Sequence, residues 1–230
     1  MVYDTNLEGK ISEVAEKLLQ MGAYSVFLYG SRATGDALPT SDWEIGVIFE
    51  DNKYKNRSEV ANLTSTGTVI YPFKKSEIEA GSPTTPFTKS IWLTEIIKTA
   101  KTIAGEHAVE QIPLPQITNE DLKADVAFRK AGALDAMIAF RSGAKGLAVD
   151  FFVKSCLLGL RDLILLNGGN FPTSYQDIVV QSEKYLPPEM RDLPKKVLAV
   201  RQNKVPLDLD LTFQNLELLT KIIDGDKHGV

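Results

Sequence analysis

The sequence is poor in the features that mark several common classes of protein. Cys156 is the only cysteine, which excludes an intramolecular disulfide framework, and its apolar helical surroundings predict a buried thiol. Histidine occurs only at His107 and His228, so a zinc site is not expected. No apolar run reaches the roughly 18 residues of a membrane helix, and the first residues lack a basic segment followed by an apolar one. We therefore expect neither a membrane span nor a signal peptide, and a cytoplasmic location.

An excess of positive charge is also missing. The 26 Lys and Arg residues are outnumbered by 30 Asp and Glu residues, which gives a net charge of -4. Long nucleic acid is therefore not an expected partner, although a pocket for a small polyanion needs only a few cations. The chain has 230 residues with 43% hydrophobic and 24% charged residues, as in soluble globular proteins, and this length suits one large domain or two small ones.

The first half of the chain mixes helical and strand patterns. Apolar residues at helical spacing predict a helix over 7–21, and a second helical pattern runs from Phe87 to about Ala104. Residues 76–79 and the turn-rich stretch after them are expected to be irregular. Pro72 predicts that the last strand either lies at a sheet edge at this point or ends there. Short apolar runs predict three strands, at Ser25–Tyr29, Glu44–Phe49 and Thr68–Phe73.

The second half carries almost no strand signal. Thr118 or Asn119 can cap the first helix, and the strongly apolar stretch 145–166 is the expected central helix of a bundle. Helices are predicted over 120–141, 145–166, 175–185, 189–202 and 211–224. Residues 105–118 contain two prolines and are predicted to form a linker. We therefore predict an α+β fold class, with a small mixed β-sheet domain over 1–105 and an all-α helical bundle domain over 118–230.

Two carboxylates stand at the start of the second predicted strand. Alternate residues of a strand point to the same face, roughly 6–7 Å apart, so Asp42 and Glu44 should project together while Trp43 points to the opposite face. Mg²⁺ is usually held by one or two carboxylates together with phosphate oxygens of the substrate. The pair therefore predicts a metal site.

A glycine-serine turn precedes these acids by about ten residues. Gly30 lets the backbone approach a ligand closely, and Ser31 is expected to cap a short helix that begins at Arg32. The free N–H groups of such a helix start favour phosphate, Arg32 adds a cation, and Ser41 adds a hydroxyl. A phosphate-binding turn beside a metal site is the equipment for phosphoryl or nucleotidyl transfer.

The stretch GSRATGDALPTSDWEIGV resembles the signature of the DNA polymerase beta-like nucleotidyltransferase superfamily, especially its minimal and aminoglycoside nucleotidyltransferases. Gly30 and Ser31 match the glycine-serine pair, Ser41 and Asp42 match the serine and first metal carboxylate, and Glu44 takes the place of the second carboxylate. The resemblance implies transfer of a nucleoside monophosphate from an NTP such as ATP to an acceptor hydroxyl, with two Mg²⁺ ions. It implies nucleotide-binding roles for Gly30, Ser31, Arg32 and Ser41, and catalytic metal-binding roles for Asp42 and Glu44.

The sequence departs from this pattern at its second and third carboxylates. Glu44 is one methylene longer than the usual aspartate. The third acid, which usually acts as general base, belongs on the next strand, where Thr68 and Ile70 occupy the expected positions. Glu77 or Glu79 could substitute for it, or the helical domain could lend a base.

The helical domain contributes cations of its own. Lys154 and Arg161 share one side of the most apolar helix, where they could clamp a triphosphate, pair with Asp135 or Asp150, or extend to solvent. Two hypotheses follow for the whole chain. It is either a nucleotidyltransferase acting on a small molecule or a protein hydroxyl, or a degenerate, antitoxin-like module that binds nucleotide or protein without catalysis. A homodimer is one possible assembly.

Overall fold

A computed structural model describes residues 5–64 and 67–224 of the chain. The chain divides into two compact units, Met1–Gln116 and Ile117–Val230. A small mixed sheet forms the first unit and helices form the second, so the predicted α+β class is confirmed. The domain limits 1–105 and 118–230 stay predictions, and their outer ends at 1–4 and 225–230, with His228, lie outside the described residues.

The sheet of the first unit has four strands among the described residues. They are β1 (Ala23–Tyr29), β2 (Trp43–Phe49), β3 (Thr68–Lys74) and β4 (Lys101–Gly105). Their order is β3-β2-β1-β4, with β2 and β3 parallel and the other pairs antiparallel. The three predicted strands are confirmed, and Pro72 lies in an edge strand, where its missing N–H is tolerated.

Two local predictions in this unit are wrong. The helix predicted to reach Ala104 ends at Thr99, and residues 101–105 form the edge strand β4, because pairing with β1 overrides a local pattern that continues the helical spacing. Residues 76–79, predicted to be irregular, belong to a helix over Lys75–Glu79. The Asp51 carboxylate accepts a hydrogen bond from the Ser76 N–H at 3.1 Å, and Glu77 accepts one from the Lys74 N–H at 3.4 Å. Both bonds stabilise the start of a helix that is too short to show a helical period in sequence.

Helices cover both faces of the sheet. The helices are α1 (Thr5–Gln20), α2 (Ser31–Thr34), α3 (Lys75–Glu79) and α4 (Lys89–Thr99). On one face Ile11 and Leu18 of α1 pack against a cluster that includes Ile45 and Ile70. On the other face residues of α4 join the cluster of Phe27, Tyr29, Ile48, Phe73, Ile78, Leu93, Ile96 and Val109. Glu44 and Gly46 alternate with Ile45 and therefore face this second cluster.

The second unit contains five α-helices in its described part. They are α5 (Asn119–Arg141), α6 (Lys145–Leu166), α7 (Tyr175–Ser182), α8 (Leu193–Arg201) and α9 (Leu209–Asp224). Thr118 caps α5 by accepting the Asp121 N–H at 3.1 Å, and α6 runs through the centre of the core, both as predicted. The helices predicted over 175–185 and 189–202 are shorter, because 3₁₀ turns occupy Glu183–Tyr185 and Pro188–Met190. No described helix is long and apolar enough to span a membrane.

A buried ion network joins α5 to α6. Arg161 donates to Asp125 at 2.9 Å and to its neighbour Asp162 at 3.0 Å, and Arg129 makes a second pair with Asp125 at 3.0 Å. The partners expected for Arg161, Asp135 and Asp150, are therefore wrong. Arg161 is only 2% exposed, so it does not extend to solvent either, and two carboxylates compensate its burial.

The pKa values of the two buried acids of this network are shifted in opposite directions. Burial alone would raise the pKa of Asp125, but the guanidinium groups of Arg129 and Arg161 outweigh it and hold that pKa below its usual value. Burial raises the pKa of Asp162 well above its usual value, against the pull of Arg161, and nearby Asp125 raises it further. Its Oδ2 atom is buried and accepts no hydrogen bond from the described residues.

Candidate active site

The turn after β1 is shaped around the carboxylate of Glu44. Gly30 has φ 70° and ψ -159°, a conformation that is essentially restricted to glycine. A Cβ atom at this position would overlap Oε2 of Glu44. The helix α2 begins at Ser31 with Gly30 in the cap position, one residue earlier than predicted. The glycine of the motif therefore makes room for the second carboxylate as well as for the turn.

Arg32 and Ser41 build the loop that leads from this turn to the acids. The Arg32 guanidinium donates to the Ser41 carbonyl at 2.7 Å and to the Pro39 carbonyl at 3.2 Å, and lies 4.8 Å from the centroid of the Trp43 ring. The Ser41 hydroxyl accepts the Leu38 N–H at 2.9 Å, which leaves its own hydrogen available. Arg32 thus holds the loop in place, and a direct contact of Arg32 with phosphate stays a prediction.

The carboxylates of Asp42 and Glu44 lie on the same side of the sheet. Asp42 is exposed just before β2, whereas Glu44 is half-buried within it. Glu44 pairs with Tyr29 of β1 and with Val69 of β3. Both carboxylates raise the pKa of Tyr71, and Trp43 packs into the cluster on the opposite face. The alternation expected of Asp42, Trp43 and Glu44 is therefore present.

The register of β3 corrects the positions expected for a third acid. Neighbours in register on adjacent strands share a face, so the residues beside Glu44 and Gly46 are Val69 and Tyr71, neither of which is acidic. Thr68 and Ile70, the positions expected from the sequence, are buried toward the opposite face. A shift of one residue in the pairing of two strands moves every side chain to the opposite face of the sheet. The spacing of residues in the sequence does not determine that pairing.

Glu77 and Glu79 lie at the wrong end of the sheet to replace the third acid. Both follow β3, which runs parallel to β2 and away from Glu44. The end of β3 at Lys74 is already roughly 16 Å along the strand from Val69, at about 3.3 Å per residue. Glu77 is engaged there with the Lys74 N–H at 3.4 Å. Neither glutamate serves the site.

A cluster around two tyrosines completes this face, and the sequence analysis missed it. The rings of Tyr29 and Tyr71 meet edge to face with centroids 5.8 Å apart. Arg57, from the loop before β3, stacks 4.6 Å above the ring of Tyr71. Burial raises the pKa of Tyr29 well above its ordinary value, and the charges of Glu44 and Glu95 add to it. No local signal marks these residues, because only the strand register brings them to Glu44.

The acids present fit one magnesium ion. Asp42 and Glu44 offer two carboxylates beside a turn open to phosphate, which is the usual protein share of a Mg²⁺ site. No set of three His, Cys, Asp or Glu side chains within residues 5–64 and 67–224 is grouped closely enough to hold a metal on its own. The donor set therefore suits an ion that arrives with a nucleotide, and the second ion implied by the resemblance lacks a third carboxylate.

Comparisons with known proteins bear on the fold and the family of this chain. The chain resembles the crystal structure of the spectinomycin adenyltransferase from Enterococcus faecialis, solved with ATP and spectinomycin, with a TM-score of 0.60 and 13% identity over 93% of this chain and 97% of that one. At this identity the likeness shows the fold alone.

A second solved structure, a nucleotidyltransferase assigned only tentatively and taken from Sulfolobus solfataricus, is 25% identical over 30% of this chain and 68% of its own, with a TM-score of 0.27. No curated protein matches the chain. The family model described as "Nucleotidyltransferase domain" matches residues 10–153, which include the glycine-serine turn and both acids. Since that match covers more than half of the chain, the protein belongs to the nucleotidyltransferase domain family.

Proposed function

We propose that this protein transfers a nucleoside monophosphate from a Mg²⁺-bound NTP to an acceptor hydroxyl, with Asp42 and Glu44 as the metal ligands. The observation that carries the proposal is the fit of the Glu44 carboxylate against the side-chain-free surface of Gly30. This contact brings the turn that would bind phosphate against the strand that would bind the metal.

Each residue of the motif has a distinct part in the proposed reaction. Gly30 and Ser31 present backbone to the polyphosphate, and the Ser41 hydroxyl can donate to it. Arg32 keeps the loop of residues 36–42 in place through the carbonyls of Pro39 and Ser41. When bound between the carboxylates and the phosphates, Mg²⁺ would neutralise charge that develops during transfer.

ATP is the first nucleotide to test, because the structurally similar adenyltransferase was solved with ATP. The acceptor is a hydroxyl on a small molecule or on a protein. Spectinomycin, present in that same neighbouring structure, is a reasonable first small-molecule probe.

Thermal unfolding in the presence of nucleotide tests the proposal directly. ATP with Mg²⁺ should raise the melting temperature more than ATP with EDTA, since a ligand that binds only the folded state stabilises it. Asp42→Asn should lose the metal-dependent part of this shift. Glu79→Gln is the matched control, because Glu79 is an exposed acid of the same unit that lies beyond the far end of β3. Equal Mg²⁺ dependence in wild type and Asp42→Asn would reject the assigned metal role.

A non-catalytic nucleotide-binding module is the second candidate. It is favoured by Val69 and Tyr71, which put an aliphatic and a phenolic side chain where the family carries its third acid. This candidate predicts Mg²⁺-dependent ATP binding without release of pyrophosphate. An assay of pyrophosphate release with acceptor probes separates the two candidates.

A further inference from the structure

The rings of Tyr29 and Tyr71 meet over β2, the strand that carries Glu44. Tyr29 of β1 is the register partner of Glu44, and Tyr71 of β3 is the register partner of Gly46, so the two tyrosines stand on either side of β2. Strands two places apart in a sheet are separated by roughly 9.6 Å, twice the spacing of neighbours. The ring centroids are only 5.8 Å apart, so both side chains tilt toward β2 over the segment from Glu44 to Gly46. A group that stacks on Tyr71 therefore lies beside the face that carries the acids.

Arg57 is such a group. Its guanidinium lies 4.6 Å from the centroid of the Tyr71 ring. Since β3 is an edge strand of the described sheet, the loop before it can reach this face around the edge. A guanidinium that stacks through its flat face keeps its N–H donors, which lie in its plane. Within residues 5–64 and 67–224, Arg57 forms no ion pair with a carboxylate, so its charge is not neutralised by one.

The backbone around Arg57 is held in place by its neighbours. Oδ1 of Asn56 accepts the N–H groups of Ser58 at 2.9 Å and of Glu59 at 3.2 Å. In return, Oε2 of Glu59 accepts the Asn56 N–H at 2.9 Å, and such reciprocal bonds fix a turn. Val60, which is fully buried, anchors the end of this turn in the core. Because the turn is already ordered, using Arg57 to bind a ligand costs less conformational entropy.

We propose that Arg57 binds the β- and γ-phosphates of the nucleotide, an inference that rests on the proposed function. There, the carboxylates of Asp42 and Glu44 balance the charge of the Mg²⁺ ion, so the negative charge of the triphosphate calls for a further cation. A guanidinium can donate to two phosphate oxygens at once, and such charge-assisted hydrogen bonds are about twice as strong as neutral ones. The stacked pair of Arg57 and Tyr71 thereby becomes part of the nucleotide site.

Other cations of the first unit are engaged elsewhere. Arg32, the cation expected from the sequence, donates to two loop carbonyls and lies against Trp43, which packs into the cluster on the opposite face. Lys74 and Lys75 stand at the far end of β3, where each lies over a tyrosine ring. Of these cations, Arg57 is the one placed beside the acids.

Calorimetric titration with ATP, AMP and inorganic tripolyphosphate, each with Mg²⁺, tests this assignment. Arg57→Met keeps an unbranched side chain against Tyr71, and it should bind ATP and tripolyphosphate roughly 10- to 100-fold more weakly than wild type but AMP equally well. Arg57→Lys keeps the charge without the planar fork and should lie between the two. Lys53→Met is the matched control, because Lys53 is an exposed cation of the same loop that lies near Gly22, at the end of the sheet away from Glu44. It should bind all three ligands as wild type does.

The dependence on phosphate number separates a ligand contact from a structural role. Wild-type affinity for tripolyphosphate in Arg57→Met would overturn the assignment. An equal loss of affinity for AMP would overturn it as well, because a residue that only supports the fold affects every ligand alike. A wild-type protein that binds neither ATP nor tripolyphosphate would overturn the assignment and the proposed function together. If wild type binds both but releases no pyrophosphate with any acceptor probe, the proposed function alone is overturned, and Arg57 remains the phosphate ligand of a nucleotide-binding module.

Discussion

Gly30→Ala is expected to damage the site and the fold by two separable routes. The first is conformational, because φ 70° with ψ -159° is accessible almost only to glycine and forcing another residue into it costs about 1–3 kcal/mol. The second is steric, because the new methyl group would occupy the space of the Glu44 Oε2 atom. Glu44 must then move away from the turn, and the proposed metal site would lose its second ligand.

Gly81→Ala provides the control for the conformational route. Gly81 also has a left-handed φ, of 63°, but a Cβ atom there would meet nothing within 4 Å. It lies just after α3 in the same unit, beyond the far end of β3 from Glu44. This variant should lose about 1–2 kcal/mol of unfolding free energy through backbone strain alone.

Urea unfolding and nucleotide-induced thermal shifts measure the two routes. Gly30→Ala should lose at least as much unfolding free energy as Gly81→Ala, and it alone should lose the Mg²⁺-dependent shift with ATP. The reasoning is refuted if Gly30→Ala keeps that shift at the wild-type size. In that case the Glu44 carboxylate would not depend on its place against Gly30.

Two further predictions concern the helical unit. Asp162 is buried with a raised pKa, so its contribution to stability is present below about pH 4 and lost as the pH rises toward its folded pKa. Asp162→Asn has no carboxyl group that could ionise on unfolding. Its unfolding free energy relative to wild type should therefore grow by up to about 1.4 kcal/mol per pH unit in that window, measured by urea unfolding. A difference that stays constant from pH 4 to 8 would contradict a neutral Asp162. Cys156 is fully buried and burial raises the pKa of its thiol, so a thiol reagent should label it only as fast as the unit unfolds; rapid labelling of the native protein would show that the thiol is accessible.

The sequence was sufficient for those elements whose signal is local. The helix over 145–166 is found as predicted because its apolar residues lie within the segment and the glycines that end it, Gly168 and Gly169, follow within three residues. Strand β4 was missed because its five residues alternate only weakly between exposed and half-buried positions and depend on pairing with β1. Helix α3 was missed because its five residues are too few to show a helical period, although Glu77 supplies a local cap to the Lys74 N–H.

The same distinction applies to the candidate site. The alternation of Asp42, Trp43 and Glu44 could be read from the sequence, since it depends on the geometry of one strand. The place of Val69 beside Glu44 could not, because register between strands depends on how the 18 residues between β2 and β3 fold. Tyr29 and Tyr71 are ordinary strand residues in sequence, and only the pairing of β1, β2 and β3 brings their rings together on the face of Glu44.

The pairing of Val69 with Glu44 has a consequence for how this site can evolve. Val69 is half-buried on the face of the acids, so an aspartate there would stand beside Glu44 without any change of backbone. The sheet is therefore one side chain away from a three-acid arrangement. In a protein carrying Val69→Asp, this face would present the carboxylates of Asp42, Glu44 and the new aspartate together.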